Sequence, residues 1–177
     1  KDMIPSDETF IKKIAVKEGM PGLAGYESVI TPIDPLKSAV KGAGNVAIRP
    51  DRDGVYRKMP LLFQLKTDGI PHFVLQYLLQ KKSVRIEGGS IYANGTKIPL
   101  YKGMMTLKYY KDKEPFLRYP VIDILSSYLS SGKSEPPVVK KDFFKGKIVF
   151  IGLTAAGLYD LKPTPISSIS TGVMIHA

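Results

Sequence analysis

Polar residues punctuate short apolar runs along this chain, and the spacing within each run predicts the element it forms. Ser6-Asp7-Glu8 ahead of Phe10, Ile11, Ile14 and Ala15 have helical spacing with acidic groups in the first turn, which predicts a helix from about Asp7 to Lys17. Gly19, Pro21, Gly22 and Gly25 then break regular structure, and Tyr26 to Ile30 reads as a short strand. Asp34-Pro35, as an N-cap followed by proline, opens a second helix with Leu36, Ala39 and Val40 inside, and Gly42 ends it. Val46 to Ile48 and Val55 to Leu65 flank the polar stretch Pro50 to Gly54 and read as a hairpin, with Pro60 at an edge or a bulge.

Pro71 starts a helix carrying Phe73, Val74, Tyr77 and Leu78 to about Lys82. Asn94-Gly95, between Ser90 and Pro99, is the preferred chemistry of a type I′ hairpin turn, and that turn also explains the Asn-Gly-Thr triplet without a glycan. Met104 to Tyr110 reads as a strand, and Pro120 opens a helix with Ile124, Leu125, Tyr128 and Leu129 inside. Ser130 to Pro137 is a loop. Ile148 to Ile151 is a continuous apolar run ending at Gly152, which reads as a central buried strand delivering Thr154 and Asp160 to its C-terminal edge. Together these elements predict one α/β domain: a mixed sheet flanked by helices, with β-hairpins.

At 177 residues the chain suffices for one hydrophobic core. No cysteine is present, which removes disulfides, thiolate chemistry and Cys-ligated metals. No stretch approaches the roughly 20 apolar residues of a membrane helix. The start at Lys1 and the stop at Ala177, directly after Val173-Met-Ile, read as the ends of a piece of something longer. Of the net charge of +10, residues 1–60 contribute ten basic and eight acidic groups and residues 61–177 sixteen and eight. The lysines are dispersed, which fits a solvated surface better than a nucleic-acid footprint.

Three stretches bear on chemistry. Gly152 to Gly157 has the glycine spacing of a phosphate loop, but Leu158-Tyr159 stand where Lys and Ser/Thr are needed, so triphosphate hydrolysis is not expected. Asp51-Arg52-Asp53-Gly54 resembles the opening of a calcium loop but lacks its distant glutamate; a turn whose aspartates take backbone N–H groups and pair with Arg57 explains the same residues. His72 and His176 are the two histidines, and no nucleophile elbow accompanies either. No cofactor and no metal is implied. The rival to a non-catalytic reading is a phosphate-handling or hydrolytic enzyme using the Gly152 loop with Asp160 and His176.

The blocks Pro50 to Leu61, Phe144 to Asp160 with Thr164-Pro165, and Gly172 to Ala177 resemble the second class of CHASE domains, the cyclase- and histidine-kinase-associated extracellular sensors of bacteria, over about residues 31–177. The resemblance implies a non-catalytic, extracytoplasmic sensor in an inner-membrane receptor. An unidentified small-molecule or periplasmic ligand, membrane helices of its own chain and a cytoplasmic cyclase or kinase would be its partners, nucleic acid would not, and a homodimer is left open. The polar motif residues carried over are Asp51, Asp53, Arg57, Thr154, Asp160 and Thr164. Either Thr154 and Asp160 line a pocket beside the strand end, with Arg57 meeting a carboxylate or other anionic ligand, or these groups knit the Asp51 to Arg57 hairpin against the Gly152 loop.

Overall fold

The computed structural model describes residues 14–15, 23–110, 116–130, 137–155, 157 and 160–177. Along the chain these form β1 (Ile14–Ala15), β2 (Ala24–Tyr26), α1 (Asp34–Ala39), β3 (Lys58–Pro60), β4 (Leu62–Leu65), β5 (Asp68–Pro71), α2 (Phe73–Gln80), β6 (Val84–Glu87), β7 (Ser90–Ala93) and β8 (Thr96–Lys97). They continue with β9 (Leu100–Tyr101), β10 (Met104–Thr106), α3 (Val121–Leu129), β11 (Leu161–Thr164), β12 (Ser167–Thr171) and α4 (Gly172–His176). The architecture is α/β with a mixed sheet and hairpins, as the pattern implied.

The residues divide into two units, Lys1–Lys108 with Lys162–Ser168, and Tyr109–Leu161 with Ile169–Ala177. The first is built on a sheet of order β1-β5-β4-β2, in which β2 runs parallel to β4 and the other neighbours are antiparallel. Helix α2 packs on β5 and β6. Its start is set by His72, whose Nδ1 accepts the Val74 N–H at 3.3 Å, an N-cap that the sequence reading did not assign. Its end is a Schellman closure: Ser83 N–H reaches Leu78 O and Lys82 N–H reaches Leu79 O, with Lys82 itself at φ 54°. Met59, Leu61, Leu62, Leu75, Leu79 and Ile91 form the core of this unit.

Tight turns join neighbouring strands within the smaller sheets. Gly88-Gly89 joins β6 to β7, Asn94-Gly95 joins β7 to β8 and Lys102-Gly103 joins β9 to β10, each with both residues at positive φ. That is the type I′ requirement, so the Asn94-Gly95 expectation holds and two further turns share its geometry. Gly44 sits against the start of α2: a Cβ there would run into Phe73 Cα and stand 2.6 Å from Phe73 N. The neighbouring bridge Asn45 to His72 is closed by Asn45 N–H to Pro71 O and Phe73 N–H to Asn45 O.

In the second unit, Tyr119, Phe143 and Phe144 stack edge to face at 5.0 to 6.1 Å. Val139 is buried, and its N–H donates to Ser127 Oγ at 2.9 Å while that hydroxyl donates to Asp123 O. Two glycines permit close approach: a Cβ on Gly152 would collide with the Val173 side chain, and one on Gly172 with the Asp160 carboxylate.

Several sequence expectations are corrected. The helix over Asp7 to Lys17 falls largely outside the described residues, but Ile14–Ala15 within it is a strand that pairs with β5, so tertiary pairing overrides local propensity. The strand near Tyr26 comes earlier, and Asp34 is inside α1, bonded to Lys37, with Ile33 at the N-cap. Val46 to Ile48 does not pair with the run after Gly54; that run divides at Leu61 into β3, which joins β10, and β4, which joins β5 and β2. Pro60 does lie on an edge strand. The inward face of α3 is Ser127 with Ile124 half-buried, while Leu125, Tyr128 and Leu129 face solvent. Ile148 to Ile151 forms no strand, and Ile151 is 84% exposed, so it lacks the burial on both faces that a central strand has. The Ser130 to Pro137 loop lies mostly outside the described residues.

Candidate functional site

Pro50 ends the preceding segment and Asp51 begins a turn closed twice by backbone, Gly54 N–H to Asp51 O and Asp51 N–H to Val55 O, both 2.9 Å. Gly54, at φ 82°, supplies the left-handed residue. The Asp53 carboxylate accepts the Val55 N–H at 3.1 Å, an Asx turn that orients it towards Arg57. Arg57 Nη1 then donates to Asp51 at 3.2 Å and to Asp53 at 2.9 Å, and Nη2 lies 2.8 Å from the other Asp53 oxygen. Lys58 Nζ adds a bond to Asp51 at 3.2 Å. Two carboxylates thus meet two cations within one turn.

The electrostatics follow from these bonds. The Arg57 guanidinium first, and the Val55 N–H next, hold the Asp53 carboxyl down to about 2. Arg57 and then Lys58 keep Asp51 below its ordinary value, and the aspartates in return raise Arg57. Carboxylates held ionised in this way are poor general acids, and both terminal guanidinium nitrogens are already committed. No group of three or more His, Cys, Asp or Glu side chains is gathered for a metal among the described residues.

The other motif residues are distributed between the units. Thr164, buried in β11, donates from Oγ1 to Ser167 O at 3.2 Å and fastens the Pro165-Ile166 turn. Its strand reaches the charged turn, because Tyr56 N–H donates to Pro163 O at 2.9 Å and Lys162 lies over the Tyr56 ring. In the second unit Thr154 is exposed in a coil, and Asp160 accepts the Gly172 N–H at 2.9 Å with its carboxylate packed on Gly172. His176 closes α4. Lys58, Gly152 and Gly172 were not singled out for these contacts; the juxtaposed charges and the motif glycines were the available signals.

The charged motif is thus a turn whose two carboxylates are met by Arg57 and Lys58 of the same stretch. The CHASE2 domain model matches residues 2–177, so this chain belongs to the CHASE2 family, a family of extracellular sensory domains. The match takes in the first thirty residues, beyond the span over which the resemblance was seen in the sequence. No curated protein and no solved structure matches the chain.

Proposed function

We propose that this chain is the ligand-sensing part of a bacterial membrane receptor, held outside the cytoplasm by membrane helices of the same polypeptide and controlling a cytoplasmic cyclase or kinase. The match to an extracellular sensory family over residues 2–177 carries the reading. No helix of the described residues is long and apolar enough to cross a membrane, so in this reading flanking sequence supplies the anchors. Binding would act as a population shift, a ligand with unequal affinity for two arrangements biasing the segment that follows α4. The paired state of Arg57 supports a bracing role for Asp51, Asp53 and Arg57 over direct capture of an anion.

The test is replacement of residues 1–177 in the receptor by an unrelated folded domain, with output measured with and without stimulus. Basal output should survive and stimulus dependence should disappear. An unchanged stimulus response would remove the reading, and turnover of phosphate esters by the purified chain would favour the enzyme alternative.

A further inference from the structure

Among the described residues His72 is the most deeply buried polar side chain, at 0% exposure. Its backbone is held on both sides, the N–H donating to Leu61 O at 2.8 Å and the carbonyl accepting the Gln76 N–H at 2.9 Å, and the Phe73 ring lies 4.8 Å from the imidazole. Of the four helices, α2 is the one whose N-cap side chain takes a backbone N–H; α1, α3 and α4 have no such bond. Helix α2 carries Leu75 and Leu79 into the core, so what fixes its start also fixes the packing of the first unit.

An imidazole nitrogen that accepts a hydrogen bond cannot carry a proton. Because Nδ1 accepts the Val74 N–H, the capping ring is neutral with its hydrogen on Nε2, and this follows from the Nδ1 bond alone, whatever meets Nε2. Protonation would set a second N–H against that of Val74 and leave an orphan donor at the helix start. It would also place a positive charge in a site closed to solvent, at the end of α2 where the helix dipole is already positive. The charged side chains on the strands that pack on α2 are Asp68 on β5 and Arg85 and Glu87 on β6. Asp68 sits at the far end of its strand, opposite Leu65 and Ala15, and Arg85 pairs with Glu87 at 2.9 Å.

We infer that His72 is an acid-released catch on the start of α2, closed while the ring is neutral and opened when it takes a proton. In opened states the ring titrates near its ordinary value of about 6.5, whereas the closed state takes no proton, so the catch is at full strength above about 6.5 and weakens as pH falls below it. Use of the catch as a signal rests on the sensing reading above and makes external acid a stimulus; the titration itself does not depend on that reading.

The experiment is amide exchange of the 177-residue chain at pH 7.5 and 5.0, beside His72→Asn, which keeps an acceptor where Nδ1 sits and does not titrate. Protection of the Val74 and Gln76 amides should fall about thirtyfold in the parent between the two pH values, the factor set by a group of ordinary value about 6.5 that binds its proton only in the opened state. In His72→Asn it should stay level. His176 belongs to the second unit and is common to both proteins, so the difference between them isolates His72. Nitrogen shifts of the parent's ring at pH 7.5 should report hydrogen on Nε2, a reading that decides even if His72→Asn fails to fold. Hydrogen on Nδ1, an imidazolium in the closed state with the Val74 amide still protected, or equal pH profiles for parent and variant would each overturn the catch. If the profiles coincide while domain replacement abolishes the stimulus response, the catch falls and the sensing reading stands; if acid releases α2 and replacement changes nothing, the catch stands and the sensing reading falls.

Discussion

Gly44→Ala offers a direct test of the packing at the start of α2. The added Cβ would collide with Phe73 Cα and stand 2.6 Å from Phe73 N and 3.0 Å from His72 C, all backbone atoms that no rotamer change can move. Relief requires the 43–45 segment to retreat, which strains the bonds Asn45 N–H to Pro71 O and Phe73 N–H to Asn45 O. Overpacking of this kind costs about 1–3 kcal/mol, and two weakened backbone bonds add about 1 kcal/mol each. The lower chain entropy of alanine in the unfolded state returns less than about 1 kcal/mol, which leaves about 2–4 kcal/mol of destabilisation. For a chain of this length that is a fall of roughly 4–16 °C in melting temperature. The matched control is Gly25→Ala, in β2, where a Cβ meets nothing within 4 Å and φ is ordinary; it should be neutral or slightly stabilising. Urea and thermal unfolding of the two variants beside the parent make the measurement. If Gly44→Ala unfolds with the parent, or Gly25→Ala loses as much, the close approach is not what fixes glycine at position 44.

Three further outcomes are expected. Because Asp53 is held at about 2 against an ordinary 3.8, its contribution to stability is complete above the ordinary value and is lost as pH falls through about 2. Melting curves of parent and Asp53→Asn should therefore differ at pH 5 and converge towards pH 2; a constant offset would contradict the pairing. Lys82→Gly relieves a left-handed lysine in the Schellman closure and should stabilise by about 0.5–1 kcal/mol after glycine's entropy is set against the relief, read from urea midpoints, whereas destabilisation would show that Lys82 makes a contact of its own. Gly172→Ala should cost about 1–3 kcal/mol, and the same change on an Asp160→Ala background should cost less, because the carboxylate in its way is gone; strict additivity in that cycle would rule out the contact.

What could be read from the sequence was local. Asn94-Gly95 specifies its turn by φ preferences that need no distant partner, and the structure keeps it, whereas Pro71, read as the helix start, ends β5 and leaves the cap of α2 to His72. The pairing of Asp51 and Asp53 with Arg57 was also within reach, since all three sit in one turn. Strand β1 was not, because Ile14 and Ala15 owe their conformation to Gly69 and Asp68 across the sheet. Neither was the division of the Val55 to Leu65 run, where Leu61 separates strands that belong to different sheets. Ile148 to Ile151 has a buried strand's composition without its burial, so composition alone misled there.

The three left-handed turns at Gly88, Asn94 and Lys102 bear on the order of folding. Each closes a hairpin across a two-residue loop, the smallest entropy of closure available to a strand pair. The parallel pair β2 and β4, by contrast, must bring Ala24 beside Phe63, far along the chain, before any ladder bond rewards it. Residues 84–106 therefore gain protection early in refolding and the β2–β4 pair closes late, an order that pulsed hydrogen exchange would record as protected amides at Ile86 and Ile91 ahead of Gly25.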